Sequence, residues 1–169
     1  MISDHDLLTL CAMQEAVGEP DDGVAAIVRV CLNRARLHYN SDGTIADVID
    51  RHDQFSWTTW VMTTTGYREV AIGMAAELAR VQQLLVASQA NHAQWARCSQ
   101  IAQAVVAGSY RGAAYDHLTD DAVLYLNPRI VKRLPAWAVA ANHVCAIGHH
   151  DFYRDPPRSG PAAAAQLAA

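Results

Sequence analysis

The apolar and polar positions divide the chain into a long helical part and a short late stretch of different texture. Leu7, Leu8, Cys11 and Ala12 recur at the three- and four-residue spacing of one helix face. Ser3, with Asp6 three residues on, reads as the start of that helix, a capping box in which Asp replaces the usual Glu. Gly18 is its expected stop, and Pro20 prevents continuation. Asp21 or Asp22 is then expected to cap a second helix, with Val24, Ile27, Val28, Cys31, Leu32 and Ala35 on its apolar face.

Turn residues fill 40–43, a short helical run follows over 44–50, and the aromatic segment 55–60 reads as a loop. The pattern predicts helices over 67–88 and 93–108, the latter with Trp95, Cys98, Ile101, Ala102 and Val105 on one side and Gly108 as its stop. The run "AVLYL", 122–126, is short and strand-like, and Asn127-Pro128 ends it. Segment 134–153 has room for one or two more strands. The expectation is one domain over 1–154, mainly α (α+β) with a small antiparallel β element late in the chain, and a Pro- and Ala-rich tail over 155–169.

Composition narrows the function. Half of the 169 residues are hydrophobic (51%) and 18% are charged, the balance of a globular protein with a proper core. A net charge of -4 without a basic tract argues against nucleic acid as a partner. Cys11, Cys31, Cys98 and Cys145 are far apart with no CxxC pair, so reduced thiols are expected rather than a metal knuckle or a disulfide framework. The first residues lack a basic region followed by a long apolar run, and no window approaches the ~20 apolar residues of a membrane span. The expectation is a soluble, monomeric protein, cytoplasmic when made.

One residue interrupts the first apolar pattern. Glu15 lies four residues after Cys11 and seven after Leu8, and so continues their stripe. Two readings stand side by side. Glu15 pairs with Arg34 or Arg36 on the next helix, or it is a carboxyl kept protonated by burial, able to deliver a proton near neutral pH.

Four blocks, weak singly and specific together, resemble the SleB/CwlJ-type cell wall hydrolases, a family that includes spore-cortex-lytic and phage-encoded enzymes. They are "EAVGEPDDGVAAIVRVCLNRAR" (15–36), "QFSW" (54–57), "LYLNP" (124–128) and "PAWA…IGHHDFYR" (135–154), in the family's order. The resemblance implies a lysozyme-like fold and cleavage of peptidoglycan between N-acetylmuramic acid and N-acetylglucosamine. It implies Glu15 as the catalytic residue and Glu19 as a structural one. It places Gln54, Phe55, Ser56, Tyr125, Asn127 and His150 at positions that line or support the cleft, and Trp57 or Phe55 is read beside it as an apolar wall for a sugar. Three features depart from the pattern: Asp120-Asp121 where a Gly-Gly pair is usual, Asp151 before the final Phe-Tyr, and a longer stretch over 61–94, read as an extra helix over or beside the cleft.

A glycosidase usually works with two carboxylates. Asp21, Asp22, Asp53, Asp120 and Asp121 are available, but none falls on a family catalytic position. A lone Glu15 suits a lytic transglycosylase, with a water-using muramidase or a non-catalytic wall-binding protein as alternatives. No cofactor is expected. His143, His149, His150 and Asp151 cluster late, but without HExxH spacing or a cysteine pair, so no metal site is expected.

Overall fold

The computed structural model describes residues 2–51, 54–63, 66–69 and 74–156. Helix α1 (Asp4–Ala16) starts as the sequence implies: the Ser3 hydroxyl accepts the Asp6 backbone N–H and donates to the Asp6 carboxylate. Leu7, Leu8, Leu10, Cys11, Ala12 and Met13 are all buried, so α1 is enclosed on nearly every face rather than along one stripe. Its neighbours are α2 (Asp21–Arg36), α3 (Ile45–Asp50), α5 (Met74–Gln89) and α6 (His92–Val106). Burying each leucine contributes about 1.5–3 kcal/mol, which makes α1 the spine of the helical part. The thiols of Cys11 and Cys31 meet in a hydrogen bond at 3.6 Å across the α1–α2 interface, not a disulfide, and all four cysteines are free thiols.

The start of α2 differs from the expectation. Pro20 is its N-cap and no side chain caps it. The Asp22 carboxylate instead accepts the Tyr110 hydroxyl and the backbone N–H groups of Ala114 and Tyr115, about ninety residues away. Asp21 pairs with Arg97.

Segment 55–60 is also not all loop: α4 (Ser56–Thr59) is a single helical turn. The helix expected over 67–88 starts only at Met74, because β1 (Trp60–Thr63) and β2 (Gly66–Glu69) pair as an antiparallel hairpin before it. Tyr67 and Val70, three residues apart, fit the helical spacing, and hairpin pairing overrides it. Helix α5 packs beside α1 and α4.

The late texture change is a three-stranded antiparallel sheet in the order β3 (Ala122–Leu126), β5 (His150–Arg154), β4 (His143–Ile147). Phe152, fully buried, sits at its centre. Opposite β5, each outer strand carries one extra residue: Ala122 faces Arg154 but Leu124 already faces Tyr153, which leaves Val123 as a bulge. The whole is mainly α with a small sheet late in the chain, as the sequence implies.

Candidate active site

The bulge explains how sheet and helices are joined. A bulged residue has no ladder partner for its carbonyl. The last turn of α2 supplies one: Arg34 Nε donates to the Val123 carbonyl at 2.7 Å, while Asn33 Nδ2 donates to the Ala122 carbonyl at 2.9 Å. The Leu-Asn-Arg end of α2 is therefore the splice between helix and sheet.

Arg34 is only 6% exposed, and a buried cation needs compensation. Its guanidinium lies over the Phe55 ring at 5.2 Å and the Tyr125 ring at 6.0 Å, and Nη1 reaches Gln54 Oε1 at 3.5 Å, the outer limit of a hydrogen bond.

Glu15 ends up beside this assembly. Neither arginine forms an ion pair with it: Arg34 is held by Val123 and Gln54, and Arg36 donates to the Asp120 carbonyl. The residue is partly buried, and its carboxyl is closely enough enclosed that burial lifts its pKa above the ordinary carboxyl value. The Tyr125 hydroxyl, the Arg34 charge and the Trp57 indole pull the other way without overcoming burial. Trp57 Nε1 is buried near Glu15 but has no partner at hydrogen-bonding geometry.

The Tyr125 ring carries the cluster onward. It meets His150 edge-on at 5.5 Å and Phe152 at 5.9 Å. His150 is buried, and its Nδ1 lies 3.8 Å from Glu19 Oε1. Burial pushes the His150 imidazole toward the neutral form, against the pull of Glu19. Glu15, Gln54, Phe55, Trp57, Tyr125 and His150 thus share one cluster around Arg34. Ser56 is exposed at the head of α4. Asn127 turns the chain, its side-chain oxygen accepting the Arg129 backbone N–H at 3.0 Å.

Glu19 closes the far end. Its carboxylate accepts the His149 backbone N–H at 2.9 Å and meets His149 Nδ1 at 2.9 Å, clasping the turn between β4 and β5. The turn needs Gly148: φ is +61°, and a Cβ would lie 1.9 Å from Glu19 Oε2. Gly148→Ala should lose about 1–3 kcal/mol from the left-handed backbone alone, with more from the displaced clasp. Gly18→Ala, where nothing lies within 4 Å, is the control expected to stay near neutral in the same melting experiment.

Burial raises the pKa of Glu19, but the His149 N–H and ring, with the His150 charge, outweigh it and set the carboxyl below its ordinary value of 4.5. A lowered carboxyl stabilises the fold fully above that value and loses the effect as pH falls through the folded pKa. The melting-temperature gap between wild type and Glu19→Gln should therefore be present above about pH 4.5 and close as the pH falls further into acid. An unchanging gap would show that the clasp is not electrostatic.

Other carboxylates are engaged elsewhere. Asp120 pairs with Arg29, and Asp121 pairs with Arg154 and accepts the Thr119 hydroxyl. Asp53 lies outside the described residues. Among the described residues, no group of three or more His, Cys, Asp or Glu is placed to hold a metal ion, and no helix is long and apolar enough to cross a membrane. His143 pairs with Asp151 at 3.7 Å, away from the Glu19 clasp.

A model of the Cell Wall Hydrolase family, the SleB/CwlJ type, matches residues 18–153. The chain belongs to this family. The cell wall hydrolase is accordingly an enzyme that acts on the cell wall, with peptidoglycan as its substrate class. No curated protein and no solved structure matches it. The matched span includes Glu19, Gln54, Tyr125 and His150 but begins three residues after Glu15, which stands on its local geometry.

The sequence offers Arg34 only as an ion-pair partner for Glu15; its bond to the carbonyl of a bulge follows from no local pattern.

Proposed function

We propose that this cell wall hydrolase, with a lysozyme-like arrangement of helices and sheet, cleaves the N-acetylmuramic acid–β-1,4–N-acetylglucosamine bond as a lytic transglycosylase. The observation that carries the reading is Glu15 itself: a carboxyl raised by burial, free of an ion pair, faced by the Tyr125 hydroxyl and the Trp57 indole, while Asp21, Asp22, Asp120 and Asp121 are held by other partners.

Glu15 gives its proton to the glycosidic oxygen as the bond from the muramic anomeric carbon breaks, and the glucosamine leaves with a free 4-hydroxyl. The Glu15 carboxylate then takes the proton of the muramic 6-hydroxyl as that oxygen bonds to the anomeric carbon. A 1,6-anhydro ring closes, Glu15 is protonated again and no water is consumed. Arg34 and the Tyr125 and Trp57 donors stabilise the carboxylate between the two steps, which a merely buried carboxyl could not sustain. Phe55 and Trp57 offer an apolar wall to a sugar ring.

Mass spectrometry of digested peptidoglycan tests this directly. Products one water lighter than the hydrolytic muropeptides are expected. Reducing-end muramic acid in their place would make the enzyme a water-using muramidase, and no released muropeptide at all would leave a wall-binding protein.

A further inference from the structure

From Ala122 to His150 the sequence contains no aspartate or glutamate, in a chain of net charge -4. Arg129, Lys132 and Arg133 fall within that stretch, inside five residues. All three are exposed, and among the described residues none pairs with a carboxylate. Large apolar side chains stand among and after them: Ile130 is 78% exposed, Leu134 51% and Val139 47%. The surface is made of turns without a helix, and it starts where β3 ends. There Leu126 pairs with Asp151, next to His150, so the segment leaves the sheet at the end that carries His150 and the Glu19 clasp.

Cations of one sign mixed with exposed apolar groups call for a partner that is both anionic and partly apolar. We propose that segment 129–139 docks the stem peptides of the same peptidoglycan strand whose glycan lies at Glu15, a reading that rests on the proposed substrate. Stem-peptide carboxylates meet Arg129, Lys132 and Arg133, and alanine-type methyl groups meet Ile130 and Leu134. A phosphodiester polymer would answer the cations but leave the apolar side chains in water. An anionic membrane surface is usually met by an amphipathic helix, and this segment has none.

The test is co-sedimentation of the full chain carrying Glu15→Gln with insoluble walls over a range of salt. The comparison protein also carries Arg129→Gln, Lys132→Gln and Arg133→Gln. Removing three exposed charges should lose roughly tenfold in affinity and flatten the salt dependence, with melting temperature unchanged. Removing stem peptides with an amidase should bring the parent protein down to the same level. Stripping phosphodiester polymers from the walls should leave binding intact. Unchanged binding by the triple variant overturns the proposal. So does loss only on phosphodiester removal, or a loss confined to phosphatidylglycerol vesicles while wall binding holds. Soluble muropeptides released by the Glu15→Gln protein would count against the proposed bond chemistry and not against the docking.

Discussion

Glu15→Gln is expected to abolish wall cleavage, with a loss of at least the ~10²–10⁴-fold that a positioned general acid contributes. The amide keeps the shape and can still accept from Tyr125, but it has no acidic proton to give. The fold should survive and even gain. Burial raises the Glu15 carboxyl, so at neutral pH the folded protein carries part of the cost of ionising it there, and an amide removes that cost. Melting temperature at neutral pH should be equal to or above wild type. An active but destabilised variant would mean that Glu15 serves structure, a role for which neither Arg34 nor Arg36 supplies the ion pair.

Arg34 separates electrostatics from scaffolding. Arg34→Met keeps much of the volume but removes the charge that holds the Glu15 pKa down. Glu15 should then titrate higher. A general acid must be protonated to act, so activity falls as pH rises through its pKa, and the alkaline limb of the kcat profile should move upward in the variant. The rate at the plateau should drop, because the carboxylate left after proton transfer has lost its nearest cation. Stability should fall as well, by about 1–3 kcal/mol, because the bulge carbonyl of Val123 is left buried without a donor. Arg34→Lys retains the charge but not the fork that serves Val123 and Gln54 together. It should lose similar stability while keeping the wild-type limb. Identical pH profiles for both variants would reduce Arg34 to a structural splice.

What the sequence made legible was local. Helices α1, α2 and α6 follow from apolar spacing, and Ser3 caps α1 because its hydroxyl, about one turn before Leu7, can accept an orphan N–H of the first turn. The errors share one physical source, a distant partner. Asp22 is drawn from a cap to Ala114 and Tyr115, and residues 67–69 are drawn from a helix into a strand by pairing with 60–62. The site was readable in the same uneven way. Glu15 stood out because it broke an apolar pattern on its own helix. Its grouping with Gln54, Tyr125 and His150, up to 135 residues away, came only from the resemblance, since no periodicity links residues on different elements. The role of Arg34 required the three-dimensional path of β3.

That path depends on a count of residues. With the extra residue at Val123, Tyr125 stands opposite Phe152 and beside His150. The same sequence paired residue for residue from Ala122, with no bulge, would bring Leu124 opposite Phe152 and turn Tyr125 to the other face. Deleting Val123 would close the bulge and leave Tyr125 opposite Phe152, but it would take away the carbonyl that receives Arg34 Nε. In this part of the enzyme the extra length serves the joint between helix and sheet, and deletion of Val123 should cost stability while keeping the phenol in the cleft.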